Sequence, residues 1–295
     1  MGPALALLAS LRPRQWVKNL FVFAGVIFSQ QLLTPLVWTA LGAFIIFCGL
    51  SGAIYLFNDV MDAERDRLHP SKRLRPIASG ALSPSTAVVF GGLLLAGCLA
   101  AAFRIGVSFG LVAVGYGVLL TAYSLWLKHM VILDVLTVAA GFVLRAVAGA
   151  VAVEVEISGW LLICTILIAL FLALGKRRHE YRSLARDAAA HRPILAEYSE
   201  SFLDQMISVV TASTVTAYAL YTMSPETVAK FHTRLLPLTL PFVLYGIFRY
   251  LYLLYRRDLG GNPSDLLVSD RALLFDALLW MLATFAIIYG SRWAG

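Results

Sequence analysis

The sequence predicts an all-α, polytopic membrane protein: a bundle of about nine transmembrane helices that forms one domain over residues 1–295. Three observations predict this fold class. The chain is 60% hydrophobic and only 14% charged, and its mean hydropathy is +0.79. Water-soluble domains carry about 25% charged residues, so lipid must be the main solvent of this chain. The longest polar connections, near residues 58–85 and 176–205, leave no room for a separate soluble domain.

Each predicted element is an apolar stretch that can cross a hydrocarbon core, which takes roughly 20 residues of α-helix. The nine stretches cover residues 17–33, 37–57, 86–103, 106–126, 131–153, 159–175, 206–223, 235–255 and 272–290. No positive region precedes the short apolar stretch at residues 4–8, so a cleaved signal peptide is not expected. Cys48, Cys98 and Cys164 lie inside apolar stretches without metal-ligand spacing, and we interpret them as small core residues.

Lysine and arginine lie mostly on one side of this predicted topology. That side holds 18 of the 24, whereas the other side holds only Arg104, Lys230, Arg234 and Arg292. Because basic connections stay in the cytoplasm, the N-terminus is predicted on the cytoplasmic side of the cell (inner) membrane and the C-terminus, after nine crossings, outside. The net charge of +7 is also compatible with nucleic-acid binding. The basic residues flank membrane spans, however, so membrane lipids and no nucleic acid are the predicted partners.

An aspartate-rich motif follows the second predicted span. In a helix with about 100° per residue, Asp62, Asp66 and Asp59 lie about 40°, 80° and 100° from Asn58, so four oxygen-bearing side chains share one face. Glu64, at about 240°, points away. Clustered carboxylates repel one another unless cations neutralise them, and Mg²⁺ prefers oxygen ligands and completes its shell with substrate phosphates. The motif predicts a Mg²⁺–diphosphate site; an ordinary charged loop that caps a helix is the alternative.

Basic residues follow this motif directly. Lys72, Arg73 and Arg75 lie in a segment where Pro70 and Pro76 break the helix. Cations beside a metal site are suited to the spare oxygens of a diphosphate. We therefore predict that these three side chains contact substrate phosphates. For any one of them, the alternative is a charge that only marks the cytoplasmic side.

Further charged residues lie at membrane depth or at the end of a span. Arg145 follows Asp134 by 11 residues, which places the two within about 20° on one helix face. A buried arginine is costly unless it faces a polar cavity, so we predict a phosphate or an acidic group as its partner, with a structural ion pair as the alternative. After the sixth predicted span, Lys176 and Arg177 have the spacing to flank Glu180, although a solvated helix end would look similar.

These residues resemble the UbiA superfamily of intramembrane prenyltransferases. The resemblance rests on the NDxxDxxxD pattern from Asn58 and on the YSxxLK pattern at residues 123–128, and it runs from about Arg12 to the last span. It implies a nine-helix bundle with a cytoplasmic-side site, in which the first motif binds the Mg²⁺-diphosphate of a donor and a second DxxxD-like motif binds another Mg²⁺. This chain departs from the pattern, because GKRRHE at residues 175–180 stands in place of the second motif.

Within the superfamily, residues 12–19, 58–76, 175–177 and 270–271 most resemble the branch that acts on decaprenyl phosphate. This resemblance implies Mg²⁺-dependent transfer of 5-phosphoribose from phosphoribosyl diphosphate to a polyprenyl (decaprenyl) phosphate, with release of diphosphate. The implied catalytic residues are Asp59, Asp62, Asp66 and Lys176, and the implied Mg²⁺ ligands are Asn58, Asp59, Asp62 and Asp66. The implied substrate-binding residues are Lys18, Asn58, Lys72, Arg73, Arg75, Tyr123, Lys128, Asp134, Arg145, Arg177, Glu180 and Arg271.

Two other functions remain compatible with the sequence. A transferase of the same fold that joins a prenyl diphosphate to an aromatic acceptor would need a second aspartate cluster near residues 176–190, where only Asp187 stands. A transporter or channel is compatible with nine spans and with Arg145 and Arg249 at membrane depth, but it does not require clustered metal ligands. A homo-oligomer is also compatible with the sequence.

Overall fold

The computed structural model describes residues 2–68, 72–184, 193–261 and 263–293. Within these ranges the chain forms helices joined by turns and contains no strand, which confirms the all-α prediction. Two compact units make up the chain, Met1–Ile157 and Ser158–Gly295. That the whole chain is one domain stays a prediction.

Four long apolar helices dominate the first unit. Phe47, Phe109 and Tyr116 pack at its core, with the rings of Phe47 and Tyr116 centred 4.9 Å apart. The α-helices are α1 (Pro3–Ser10), α2 (Ala24–Phe28), α3 (Leu36–Met61), α4 (Ala63–Leu68), α5 (Pro84–Ile105), α6 (Val107–Leu125) and α7 (Leu133–Ala152), and the 3-10 helices are Pro13–Phe23, Lys72–Leu74 and Leu127–His129.

The first predicted span, residues 17–33, is not a long helix. A 3-10 helix, Pro13–Phe23, leads directly into the short α2. The backbone of this segment lies against α7, where Gly149 has no Cβ to collide with the Val22 carbonyl. Asn19 is buried among these contacts and donates to the Cys48 sulfur at 3.3 Å. Close backbone packing and a buried polar side chain therefore shape this segment, which hydropathy alone assigned to a membrane helix.

The second unit also contains four long apolar segments. Tyr218 links three of its elements, because its hydroxyl bonds to Thr239 at 2.7 Å and accepts a hydrogen bond from Trp280 at 2.9 Å. The α-helices are α8 (Gly159–Leu184), α9 (Glu200–Met223), α10 (Pro225–Phe231), α11 (Leu240–Arg256), α12 (Pro263–Ser269) and α13 (Arg271–Trp293), and the 3-10 helices are Pro193–Glu197 and Leu236–Thr239.

Eight segments in the described part of the chain are long and apolar enough to cross a membrane. They correspond to the second through ninth predicted stretches, so the count of nine was approximate. The chain is therefore a multi-pass membrane helix bundle. Its placement in the inner membrane with a cytoplasmic N-terminus stays a prediction, as does an external C-terminus, which depends on nine crossings.

Candidate functional site

The aspartate-rich motif is helical, as predicted, apart from one break. Helix α3 ends at Met61, Asp62 occupies the junction at φ −91° and ψ 1°, and α4 begins at Ala63. Backbone hydrogen bonds continue across the junction, from Asp62 N to Asn58 O at 2.9 Å and from Asp66 N to Asp62 O at 2.8 Å. The carboxylates therefore remain on successive turns.

Two arginines hold the two buried carboxylates of the motif. Asp59 and Asp66 are each only 2% exposed. Arg75 Nη1 donates to Asp59 Oδ1 at 3.2 Å and to Asp66 Oδ2 at 2.5 Å, and Arg12 Nη2 also donates to Asp59 Oδ1. The Arg12 guanidinium lies over the Tyr55 ring, 4.8 Å from its centre. Because a buried carboxylate needs a compensating cation, these arginines account for the burial of both aspartates.

The third carboxylate faces a different cation. The Asp62 side chain is 34% exposed, and Asp62 Oδ1 lies 4.0 Å from Lys128 Nζ. Lys128 lies in the 3-10 helix Leu127–His129, which follows α6. Tyr123, near the end of α6, is half-buried. The structure therefore brings together the two sequence patterns that were separate in the chain. Three carboxylates and three cations leave this cluster with no net formal charge.

The oxygen donors of the motif fit Mg²⁺ in type but are not grouped as one ligand set. Within the described ranges, no three His, Cys, Asp or Glu side chains converge closely enough to hold a metal ion. The helical wheel of the motif suggested a tighter cluster, whereas Asp59 and Asp66 are held by Arg12 and Arg75 and Asp62 faces Lys128. The donors remain oxygen-only and lie on successive helical turns, which is the chemistry that Mg²⁺ prefers. They are Asn58, Asp59, Asp62 and Asp66.

The basic residues of the first unit that are predicted to bind phosphate differ in their burial and in their contacts with the carboxylates. Arg75 contacts the carboxylates directly, whereas Arg73 is exposed and Lys72 is half-buried in the short 3-10 helix. Lys18 is half-buried in Pro13–Phe23. Of the predicted phosphate contacts, the structure therefore brings Arg75 and Lys128 to the carboxylates.

Arg145 is held by groups of the protein itself. Its Nε donates to Asn19 Oδ1 at 2.7 Å, its Nη1 to the Gly141 carbonyl at 2.9 Å, and its Nη2 to the Tyr116 hydroxyl at 2.5 Å. Asp134 is fully buried in the first turn of α7, about 16 Å away along the helix axis. The shared helix face does not bring Asp134 to Arg145, because the two residues lie three turns apart, and the groups that hold Arg145 here are neutral. Substrate contacts of Arg145 and Asp134 stay predictions.

The end of α8 carries the predicted basic cluster. Lys176 Nζ lies 3.7 Å from Glu180 Oε1, and Arg177 donates to the other carboxylate oxygen of Glu180. The predicted flanking of Glu180 by two cations is confirmed. The next residue, Arg178, is buried and contacts α9 and α11, a feature that the sequence did not reveal.

An ion pair organises the start of α13. Arg249 donates from Nε to Asp270 Oδ1 at 3.2 Å and from Nη2 to Asp270 Oδ2 at 2.8 Å. Asp270 Oδ1 also accepts the Leu273 N–H at 2.9 Å, which caps the helix. The hydrogen bond from Arg249 holds the pKa of Asp270 below its usual value. Arg249 therefore has a structural partner, and Arg271 is exposed in the first turn of α13.

Arg12 is the residue of the site that sequence reasoning missed. The sequence marks it only as one of the charges that set orientation and as part of the stretch 12–19 that carries the family resemblance. It stands 47 positions before its partner Asp59, so no local spacing could reveal the pair. Two residues singled out in the sequence, Pro70 and Asp187, lie outside the described residues.

Comparison with known proteins agrees with the motifs. Residues 19–266 match the model of the UbiA prenyltransferase family. A decaprenyl-phosphate phosphoribosyltransferase of Mycolicibacterium smegmatis is 31% identical, and the alignment covers 97% of this chain and 93% of that protein. The enzyme of the same name from Corynebacterium glutamicum is 33% identical over 96% of this chain and 86% of its own length.

Solved structures share the fold. A UbiA homologue from Archaeoglobus fulgidus bound to GPP and Mg²⁺ superposes with a TM-score of 0.73 at 20% identity, covering 96% of this chain and 99% of that one. A UbiA homologue from Aeropyrum pernix gives a TM-score of 0.61 at 16% identity, over 95% and 97% of the two chains.

Proposed function

Because the chain belongs to the UbiA prenyltransferase family, we propose that it transfers 5-phosphoribose from phosphoribosyl diphosphate to a polyprenyl phosphate such as decaprenyl phosphate, with diphosphate as the leaving group. The observation that carries the choice of substrates is the similarity to decaprenyl-phosphate phosphoribosyltransferases over nearly the full length of both chains. The acidic and basic clusters described above support it chemically.

The acidic cluster of the first unit supports a Mg²⁺-diphosphate donor. Its carboxylates and cations are already balanced, so a diphosphate arriving alone would add uncompensated negative charge. Mg²⁺ supplies the missing positive charge and stabilises the leaving diphosphate. Asn58, Asp59, Asp62 and Asp66 would hold the ion. The arginines beside them, Arg12 and Arg75, would then donate to diphosphate oxygens that the ion leaves uncovered.

The basic end of α8 supports an anionic substrate group. A polyprenyl phosphate already carries negative charge, so it can attack without a strong general base. The bond from ribose C1 to the diphosphate breaks as the acceptor oxygen approaches, and positive charge develops on C1. Lys176 and Arg177 would bind the acceptor phosphate or the ribose 5-phosphate, and Glu180 would contact ribose hydroxyls.

Other predicted substrate contacts belong to the same proposal. Lys128 lies beside Asp62 and would bind a substrate phosphate there. We keep as further substrate contacts Lys18, Lys72, Arg73, Tyr123, Asp134, Arg145 and Arg271. The reaction would occur on the cytoplasmic side of the membrane, where both soluble and lipid substrates are accessible, with the polyprenyl tail in the lipid.

A donor-choice assay tests this function. The purified chain in lipid nanodiscs receives Mg²⁺ with either labelled phosphoribosyl diphosphate and decaprenyl phosphate, or labelled geranyl diphosphate and an aromatic acid. We expect a labelled phosphoribosyl lipid from the first pair, because of the similarity to phosphoribosyltransferases. Product from the second pair alone would contradict the proposal and support an aromatic prenyltransferase.

A further inference from the structure

The last turns of α8 have two faces with different contacts. At about 100° per residue, and taking Lys176 as zero, Glu180 lies at about 40° and Arg177 at about 100°, whereas Arg178 lies at about 200°. Lys176 and Arg177 form the basic cluster around Glu180. Arg178 is therefore on the opposite face, with its guanidinium directed away from that cluster.

Arg178 is fixed by three residues from two neighbouring helices. Its Nε donates to Asp204 Oδ1 at 2.5 Å, and its Nη2 donates to Glu200 Oε1 at 2.8 Å, both from α9. The Tyr255 ring of α11 lies 4.1 Å below the guanidinium, and the Tyr255 hydroxyl donates to the same Asp204 oxygen at 2.9 Å. Asp204 is thus the common acceptor through which α8, α9 and α11 are joined.

Two further contacts occur on the same side of α8. Gly175, at about 260°, lies so close to α11 that a Cβ there would come within 2.7 Å of the Tyr250 hydroxyl. His179, at about 300°, packs against the loop after α11, where a Cβ on Gly261 would lie 2.9 Å from the imidazole. Because one side of the helix is held at three positions, Gly175, Arg178 and His179, the helix cannot rotate without breaking the Arg178 contacts.

We propose that Asp204 is a positioning residue: through Arg178 and Tyr255 it fixes the rotation of the end of α8 and so orients Lys176 and Arg177 toward the phosphate of a substrate. This inference rests on the proposed function of those two cations. The physical reason is that a small displacement of a phosphate-binding group is costly in rate; a shift of about 1 Å can cost up to about 100-fold.

A double-mutant cycle with Lys176 tests the proposal. In the nanodisc assay, Asp204→Asn should reduce kcat/KM on the order of 10-fold or more, mainly through a higher KM for a phosphorylated substrate. In a Lys176→Met background the same change should cost far less, because there is one oriented cation fewer to misplace. Equal losses in both backgrounds, or a lower melting temperature with unchanged KM, would refute the positioning role.

Milder variants protect the test against misfolding. Tyr255→Phe keeps the ring under Arg178 and removes only the hydroxyl bond to Asp204, so we expect a smaller rise in KM with a nearly unchanged melting temperature. Tyr252→Phe on the same helix is the matched control and should leave KM unchanged. A wild-type protein without phosphoribosyl transfer would instead refute the proposed function, whereas an active wild type with unaltered variants would refute only the positioning role.

Discussion

Arg75 is the residue on which the acidic cluster of the first unit depends most. It bridges Asp59 and Asp66, which lie in two different helices on either side of the break at Asp62. Both carboxylates are almost fully buried, so water cannot solvate them in place of the arginine. Removing Arg75 would leave two like charges close together and incompletely compensated.

We predict that Arg75→Gln lowers the free energy of unfolding by about 2 kcal/mol, because hydrogen bonds to buried charged groups are worth about that much. Added Mg²⁺ should recover part of the loss, since it neutralises the same carboxylates. The measurement is thermal unfolding in detergent with and without Mg²⁺. The exposed Arg73→Gln is the control and should differ little from wild type; an equal effect of the two substitutions would argue against the bridge.

Arg145 illustrates a residue whose role depends on partners far away in the chain. The sequence correctly marked it as a charge that needs a polar partner at membrane depth. The partners are Asn19 and Tyr116, which lie 126 and 29 positions away. The Tyr116 hydroxyl also bonds to Ser51 at 2.9 Å. The Arg145 guanidinium is therefore held by a hydrogen-bond network that no local spacing in the sequence reveals.

Among the elements, the start of α13 depends on the charge of one carboxylate. Asp270 accepts from Arg249 and from the Leu273 N–H, and both interactions favour its ionised form. Since the folded protein lowers the pKa of Asp270, the ionised carboxylate stabilises the fold above the usual aspartate pKa of about 3.9. This stabilisation is lost as the pH falls through the lower pKa of the folded state.

The expected result is a pH-dependent difference between wild type and Asp270→Asn. The melting temperature of wild type should be higher at pH 7, and the gap should narrow below about pH 4 as the carboxylate becomes protonated. Melting temperatures between pH 7 and pH 3 provide the measurement. A gap that stays constant over this range would mean that the ionisation of Asp270 does not contribute.

The long helices could be predicted from the sequence because hydropathy is a local property, summed over about 20 residues. Eight of the predicted stretches coincide with helices of the right length. The segment Pro13–Phe23 could not be predicted, because its 3-10 conformation accompanies backbone packing against Gly149 and burial of Asn19. Such contacts join residues more than 100 positions apart and leave no periodic pattern in the sequence.

At the scale of the whole molecule, two chemically different clusters characterise the chain. The first unit holds three carboxylates balanced by three cations, and the second holds two cations around a single Glu180. The sequence pointed to the three carboxylates, to Arg75 and Lys128, and to the two cations around Glu180, because these residues lie in short motifs. It did not predict Arg12 or Asp204, whose partners come from distant segments. We propose that the acidic cluster binds the Mg²⁺-diphosphate of a phosphoribosyl donor.

The most direct test compares two carboxylates of the same segment in one assay. With Mg²⁺, labelled phosphoribosyl diphosphate and decaprenyl phosphate, the rate of labelled lipid formation is measured for wild type, Asp62→Asn and Glu64→Gln. Losing about 3 kcal/mol of leaving-group stabilisation corresponds to about 100-fold. We predict a loss of at least about that size for Asp62→Asn, and a nearly wild-type rate for the exposed Glu64→Gln. A wild-type rate for Asp62→Asn would contradict the assignment.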